Sequence, residues 1–335
     1  MSEDQRIILD MLSEGKITVE EAQRLLETIG KSPDPAEQDP GRHRDSEPTS
    51  IMDNIVDTIR TGLSNLNFSF GDTNRIVLEE RHSGRFTGER VELELTASNG
   101  SIRVDTWDEK EFRLDVIKKI RAGTREQAEA IVSGLRFADF DGQRLRAGDQ
   151  ECKGLGGKVY VSLRLWLPRN CIYLGKVTSK NGSIEITGID MNGFDVRTVN
   201  GSVKLSQVTG DQVDAKAVNG SLRLEGGFNG IEAKTTNGSI TLVNIATDSE
   251  GRLATVNGRI KVQLPIRPDL GIAVDARTTS GSVRLNHELL ETRFEERRVG
   301  RRSLEASTAN WKEAGHKIEL HLRSVNGSIQ IEELK

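Results

Sequence analysis

One tetrapeptide recurs along most of this chain and restricts the fold more than any other feature. It reads Asn99-Gly100-Ser101-Ile102, Asn181-Gly182-Ser183-Ile184, Asn200-Gly201-Ser202-Val203, Asn219-Gly220-Ser221-Leu222 and Asn237-Gly238-Ser239-Ile240. Variants stand at Asn257-Gly258-Arg259-Ile260, Ser280-Gly281-Ser282-Val283 and Asn326-Gly327-Ser328-Ile329. From Asn181 to Ser280 the steps are 19, 19, 18, 20 and 23 residues. A near-fixed period of that size marks a stacked repeat.

The phase inside each repeat points to strands. Counting back by twos from the motif gives Val91, Leu93, Leu95 and Ala97 in one copy, and Phe194, Val196 and Thr198 in another. This is the alternation of a half-buried strand. Beyond the glycine the apolar phase shifts by one, to Ile102 and Val104 or Val203 and Leu205, so the strand turns a corner at Asn-Gly. Glycine is expected there for a positive φ. Asn-Gly also suits a hairpin, so stacked hairpins remain an alternative. The regular step favours a mainly-β solenoid with coils of about 19 residues. The motif asparagines fall on the inward phase of this count, and stacked coils would join them in an amide ladder. Their role is read as structural.

Outward positions carry charge. Three residues before the motif stand Arg197, Lys216, Lys234, Arg277 and Arg323; four residues after its first position stand Arg103, Lys204, Arg223, Lys261 and Arg284. Five before it lie Glu94, Asp195, Asp214, Glu232 and Asp275. Stacking in register makes these two basic stripes and an acidic one, which mainly keep a face solvated. Val199, Val218, Val256 and Val325 point outward immediately before the asparagines. The candidate binding face is Arg197, Lys204, Lys216, Arg223 and Lys234 with Val199, Val218 and Val256.

The repeat domain spans residues 71–335, with an irregular α/β insertion at about 105–180. In that insertion a strand at Phe112-Leu114-Val116 leads to a helix at Thr124–Val132 capped by Thr124, and a further strand follows at Val159–Leu167. Between the last two motifs 46 residues hold Arg297, Arg298, Arg301 and Arg302, largely neutralised by Glu291, Glu295 and Glu296 in a charged loop. Ahead of the repeats, residues 3–30 read as a helical hairpin with a capping box at Thr18 and Glu21, and residues 31–50 as a proline-rich disordered linker. Residues 51–66 follow helical spacing at Ile51, Met52, Ile55, Val56, Ile59, Leu63 and Leu66. This amphipathic helix reads as a lid on the β domain, a partner-binding or self-associating helix, or an in-plane membrane helix, in that order.

The 335 residues carry 47 Lys+Arg against 51 Asp+Glu, a balance that gives no nucleic-acid footprint. The arginine run has no interleaved aromatics, so nucleic acid is not expected as a partner. Cys152 and Cys171 form no CxxC pair, and the five histidines form no metal-type cluster. Asp139-Phe140-Asp141-Gly142 lacks the ligand series of a calcium loop and reads as a turn. Catalytic residues, cofactors and metals are all expected to be absent. No signal peptide is visible in the first residues and no apolar run reaches the ~18 residues of a membrane span, so the expected location is cytoplasmic, with peripheral membrane association open.

The tandem Val-Asn-Gly-Ser corners, Trp107-Asp108 after the first, the Leu167-Pro168 and Leu264-Pro265 exits, and EGKITVEEAQRLLE at residues 14–27 carry a resemblance. The chain resembles the bacterial putative-adhesin family of β-strand-repeat proteins, closest to its LiaX/YvlB-like members with a SHOCT-like helical hairpin in front. The resemblance implies a β-strand repeat domain without enzymatic activity and, in some relatives, a link to envelope stress. The combined expectation is a non-enzymatic scaffold tied to envelope regulation. It would associate with a protein partner or itself through the N-terminal helices, or meet an anionic envelope polymer or membrane surface. A surface adhesin and a carbohydrate-active β-helix enzyme are the alternatives.

Overall fold

The computed structural model describes residues 75–334 apart from 153, 156, 245 and 299. These belong to the second of two compact units, residues 67–335. The helical hairpin, the linker and the 51–66 helix lie outside the described residues.

Alternating apolar residues build strands throughout. The chain enters through β1 (Arg75–Gly84) and β2 (Arg90–Asn99), then turns the first corner into β3 (Ile102–Trp107). It leaves the array through β4 (Phe112–Arg121), α1 (Arg125–Val132), β5 (Ala138–Phe140), β6 (Arg144–Gly148) and β7 (Val159–Pro168). It rejoins at β8 (Ile172–Asn181), followed by β9 (Ile184–Thr187), β10 (Asp190–Asn200), β11 (Val203–Asn219) and β12 (Leu222–Asn237). Next come β13 (Ile240–Asn244), β14 (Ser249–Asn257), β15 (Ile260–Leu264), β16 (Leu270–Ser280) and β17 (Val283–Asn286). The chain ends with β18 (Glu291–Arg298), β19 (Arg301–Ser307), β20 (His316–Asn326) and β21 (Ile329–Glu333).

The strands before each corner pair in parallel in the order β2, β8, β10, β11, β12, β14, β20, β16. Those after it pair in the order β3, β9, β11, β12, β13, β15, β21, β17. This is a β-solenoid, and the stacked-hairpin alternative falls away. The last coil, β20–β21, does not stack last. It lies between β14–β15 and β16–β17, and the preceding 46-residue excursion makes this possible. That excursion is also not a simple loop: β18 and β19 form an antiparallel hairpin that covers the outer edge of β16.

Within β10 to β12 the buried phase shifts again after each corner. Val203 and Leu205 are buried, then Val208, then Val213 and Ala215; the next coil repeats this with Leu222 and Leu224, Phe228, then Ile231 and Ala233. Each such coil therefore presents three inward runs around a shared core of aliphatic rungs. Ile102, Ile184, Val203, Leu222, Ile240, Ile260 and Ile329 occupy equivalent positions at no more than 1% exposure. Burial of a side chain of this size contributes roughly 1.5–3 kcal/mol, so the stacked rungs supply the main cohesion between coils.

The corners contain two corrections. None of their glycines lies in the left-handed region. Glycine is required because coils stack backbone on backbone: a Cβ on Gly220 would stand 1.8 Å from the Gly201 carbonyl oxygen. The motif asparagines also do not point inward. They sit at the solvent rim, where their amides form a ladder through Asn99, Asn181, Asn200, Asn219, Asn237, Asn257 and Asn326 with links of 2.7–2.9 Å. Ser280 occupies the next rung beside Asn326.

A second ladder lies beneath. The Thr198, Thr235, Thr255 and Thr278 hydroxyls each donate to a corner glycine carbonyl of the neighbouring coil at 2.9–3.0 Å. Ser179 and Ser324 do the same at 3.1 and 3.3 Å. These side chains satisfy carbonyls that the corner turns away from the strand ladder.

In the irregular segment, the Thr124 hydroxyl accepts from the Gln127 amide at 3.3 Å, and Gln127 Oε1 accepts from the Gly123 amide at 3.1 Å. The helix expected at Thr124–Val132 is thus present and capped as its sequence indicates. β7 pairs with β3 in parallel and with β4 antiparallel, extending the post-corner sheet by three strands to β1.

Candidate binding surface

The eight residues of the sequence-derived face fall on two faces of the solenoid. Arg197, Lys216, Lys234, Val199, Val218 and Val256 project from the pre-corner strands. Lys204 and Arg223 project from the post-corner strands.

On the pre-corner face the valine row is present. Val199, Val218, Val256 and Val325 are 39–42% exposed, among the most exposed large apolar residues described. Beside it the basic row is neutralised locally. Arg197 reaches Asp195 at 2.6 Å, Lys216 reaches Asp214 at 2.6 Å, and Lys234 pairs with Glu232. Arg323 and Arg277 both engage Asp275, at 2.7 and 3.0 Å. Burial acts to raise the Asp275 carboxyl, but the hydrogen bond and charge of Arg323, then Arg277, outweigh it and hold the group below the usual range. The Lys234 hydrogen bond likewise holds Glu232 low.

The basic row is interrupted once. Lys234, Ala254 and Arg323 are consecutive across β12, β14 and β20, so a methyl group stands between two long cations. The resulting depression belongs to a groove of about 780 Å³. Val218, Val256 and Val325 line it, and Arg301, at the tip of the β18–β19 hairpin, closes one side. The hairpin's charges are paired as the sequence suggested: Arg297 with Glu295 at 2.6 Å, and Arg298 with Glu296 at 2.9 Å.

Groups with chemical potential are dispersed. Cys152 and Cys171 are free thiols, and burial, followed by the Asp149 and Glu151 charges, pushes Cys152 up to about 11. Such thiols are poor nucleophiles near neutrality. Among the described residues no three His, Cys, Asp or Glu side chains gather as a metal site. Asp141 Oδ1 accepts from the Gln143 and Arg144 amides in the turn between β5 and β6, as a turn aspartate does. The outward acids of the pre-corner face form a row tied to bases, and of the three carboxylates that line a depression on the post-corner side, Glu225 pairs with Arg223 and Glu332 with Lys261, at 3.2 and 2.9 Å, beside Glu333. Among the described residues no helix is long and apolar enough to cross a membrane.

Several solved structures are similar to the chain at low identity. One described as "a putative cell adhesion protein from Clostridium sporogenes" is 14% identical, with a TM-score of 0.36, over 77% of this chain and 100% of its own. A "putative adhesin" from Bacteroides fragilis is 10% identical with a TM-score of 0.40, over 77% and 97% of the two chains. A "putative lipid binding protein" from Parabacteroides distasonis is 11% identical with a TM-score of 0.32, over the same shares. No curated protein matches the chain. Residues 6–34 match the model described as a SHOCT-like domain. The repeat array, over residues 169–332, is similar to the β-solenoid-like repeat family described as Toastrack DUF4097.

Proposed function

We propose that this protein is a non-enzymatic β-repeat scaffold of the bacterial envelope response, and that the valine groove of the pre-corner face seats an apolar segment of a protein partner. The observation that carries the reading is the contrast within that face. Its bases and acids satisfy one another, whereas the valine row stays exposed on four of the five consecutive coils from β10 to β20, with Thr236 between the two pairs. Apolar area left outside a charge-compensated surface is where a partner gains most by excluding water. The paired carboxylates and weakly nucleophilic thiols support a binding role over catalysis. The reading places the protein in the cytoplasm, moving to the membrane periphery when the envelope is damaged, with the N-terminal helices available for association.

Fractionation of native cells with and without an envelope-damaging agent tests it, using the intact chain and its Val218→Asp/Val256→Asp variant. The expected result is stress-dependent membrane recruitment that the variant loses while keeping its β circular dichroism. Protein on the outer surface in all conditions would overturn the regulatory reading in favour of an adhesin. Recruitment unchanged by the variant would remove the groove.

A further inference from the structure

The post-corner face carries a second outward row of charge. Four residues past the start of each motif, one outward position per strand aligns across the sheet. Arg164 on β7 stands opposite Arg103 on β3, and Lys204 on β11 opposite Arg223 on β12. Glu185 on β9 separates these two pairs, and the row continues to Lys261 on β15 and Arg284 on β17. At about 4.8 Å per strand the nine strands from β7 to β17 span roughly 40 Å. Six cations, the acid Glu185 and two neutral residues, Thr241 on β13 and Gln330 on β21, occupy those nine positions. Like charges directly opposite on neighbouring strands repel, so each such pair favours an anion beside it.

The borders of the row are equally specific. On the corner side lie serines: the Ser202 amide donates to Ser183 Oγ and the Ser239 amide to Ser221 Oγ, which places these hydroxyls in line. On the far side lie Asp105, Glu225 and Glu332, which pair with Arg103, Arg223 and Lys261 at 2.8, 3.2 and 2.9 Å. Lys204 pairs within the row with Glu185 at 2.8 Å, whereas Arg164 and Arg284 form no ion pair among the described residues, the Asp115 that stands opposite Arg164 on β4 being held by Arg81 and Arg113. The strip is thus one cation wide, with hydroxyls along one edge and carboxylates along the other.

We propose that this strip binds a linear phosphate-bearing polymer laid across the strands. Arginines and hydroxyls are the donors suited to phosphate oxygens, and a row of cations rewards a ligand with a charge at each step. A flat anionic membrane would meet the acidic border as well as the cations, whereas a single extended chain avoids it. The inference is independent of the valine groove, which lies on the other face.

The test uses the full chain and fluorescent inorganic polyphosphate, with affinity measured at several salt concentrations. Expected are binding that falls linearly on a log–log salt plot and an at least tenfold loss in Arg164→Glu/Arg223→Glu. Lys216→Glu/Lys234→Glu on the other face should stay within twofold. The milder Arg164→Gln/Arg223→Gln, checked by circular dichroism, should lose affinity and flatten the salt slope. Equal loss in the two faces' variants, salt-independent binding, or binding to anionic phospholipid vesicles without binding to polyphosphate would each overturn the proposal.

Discussion

Asn326 donates its side-chain amide to Asn257, 69 residues earlier in the chain, at 2.9 Å. The bond continues a ladder whose other links, apart from the one across the insertion, join residues 18–20 apart. The final coil has therefore entered the stack between two coils made before it. One consequence concerns connectivity: β16 and β17 reach the rest of the solenoid through β20 and β21.

A chain truncated after Gly315 should accordingly lose more than the residues removed. Without β20 and β21, the segment 265–315 has no strand partner in the array, because its only other pairing is with its own hairpin. Limited proteolysis is expected to trim the truncated protein to near Leu264 while the coils from β2 to β15 stay protected. A truncated chain whose 265–315 segment resists cleavage as the full chain does would contradict this order.

Gly220→Val tests the corner. The new side chain would begin 1.8 Å from a backbone carbonyl that cannot swing aside. Overpacking of this kind costs about 1–3 kcal/mol or more, which lowers Tm by roughly 2–12 °C in a domain of this size. Gly315→Ala, where an added Cβ meets open space, is the control and should leave Tm unchanged. Thermal unfolding followed by circular dichroism distinguishes steric exclusion at the corner from a general intolerance of glycine substitution.

The corners, the coil period and the direction of the valines were readable from sequence because each depends on residues a few positions apart. A pattern of period two that shifts phase at Asn-Gly fixes which side chains face in. The glycines misled in mechanism: absence of a Cβ serves close backbone approach as well as positive φ, and only the neighbouring coil distinguishes the two. Coil order was not readable, since a 46-residue gap between Ser280 and Asn326 says nothing of where the chain returns. Arg164 was missed for a similar reason, because β7 enters the row from an insertion outside the repeat count. The threonine ladder left a signal that the period-two count did not use: a hydroxyl two residues before the motif in Ser179, Thr198, Thr235, Thr255, Thr278 and Ser324. The division of the candidate face between two surfaces follows from the corner, which turns residues on its two sides toward different solvent.

Acid should weaken the end of the array through Asp275. Its carboxyl is held below the ordinary range by Arg323 and Arg277 against the opposing effect of burial. A folded value lower than the unfolded one means that the stabilisation is complete above the unfolded aspartate value, about 3.9. It is lost as pH falls through the folded value. Asp275→Asn should therefore have a lower Tm than the parent at pH 6, with the gap narrowing as pH falls below about 4. A gap that stays constant from pH 6 to the most acid condition would show that the side chain acts through shape or neutral hydrogen bonding.

One rung of the hydroxyl ladder is vacant in sequence, and filling it tests what the ladder contributes. Thr198, Ala217 and Thr235 are consecutive across β10, β11 and β12. Thr198 donates to the Gly182 carbonyl at 3.0 Å and Thr235 to the Gly220 carbonyl at 2.9 Å. The carbonyl equivalent for position 217 is that of Gly201, and alanine offers it nothing. Both neighbours hold threonine in the same setting, so Ala217→Thr should fit and donate, gaining about 0.5–1.5 kcal/mol less some rotamer entropy. Ala217→Val, with nearly the same shape and no hydroxyl, isolates the bond, and Thr235→Ala should lose a similar amount. Chemical denaturation of the three variants gives the comparison. If the threonine and valine at 217 prove equally stable, the hydroxyls only fill space beneath the corner, and the asparagine amides alone carry polar pairing along it.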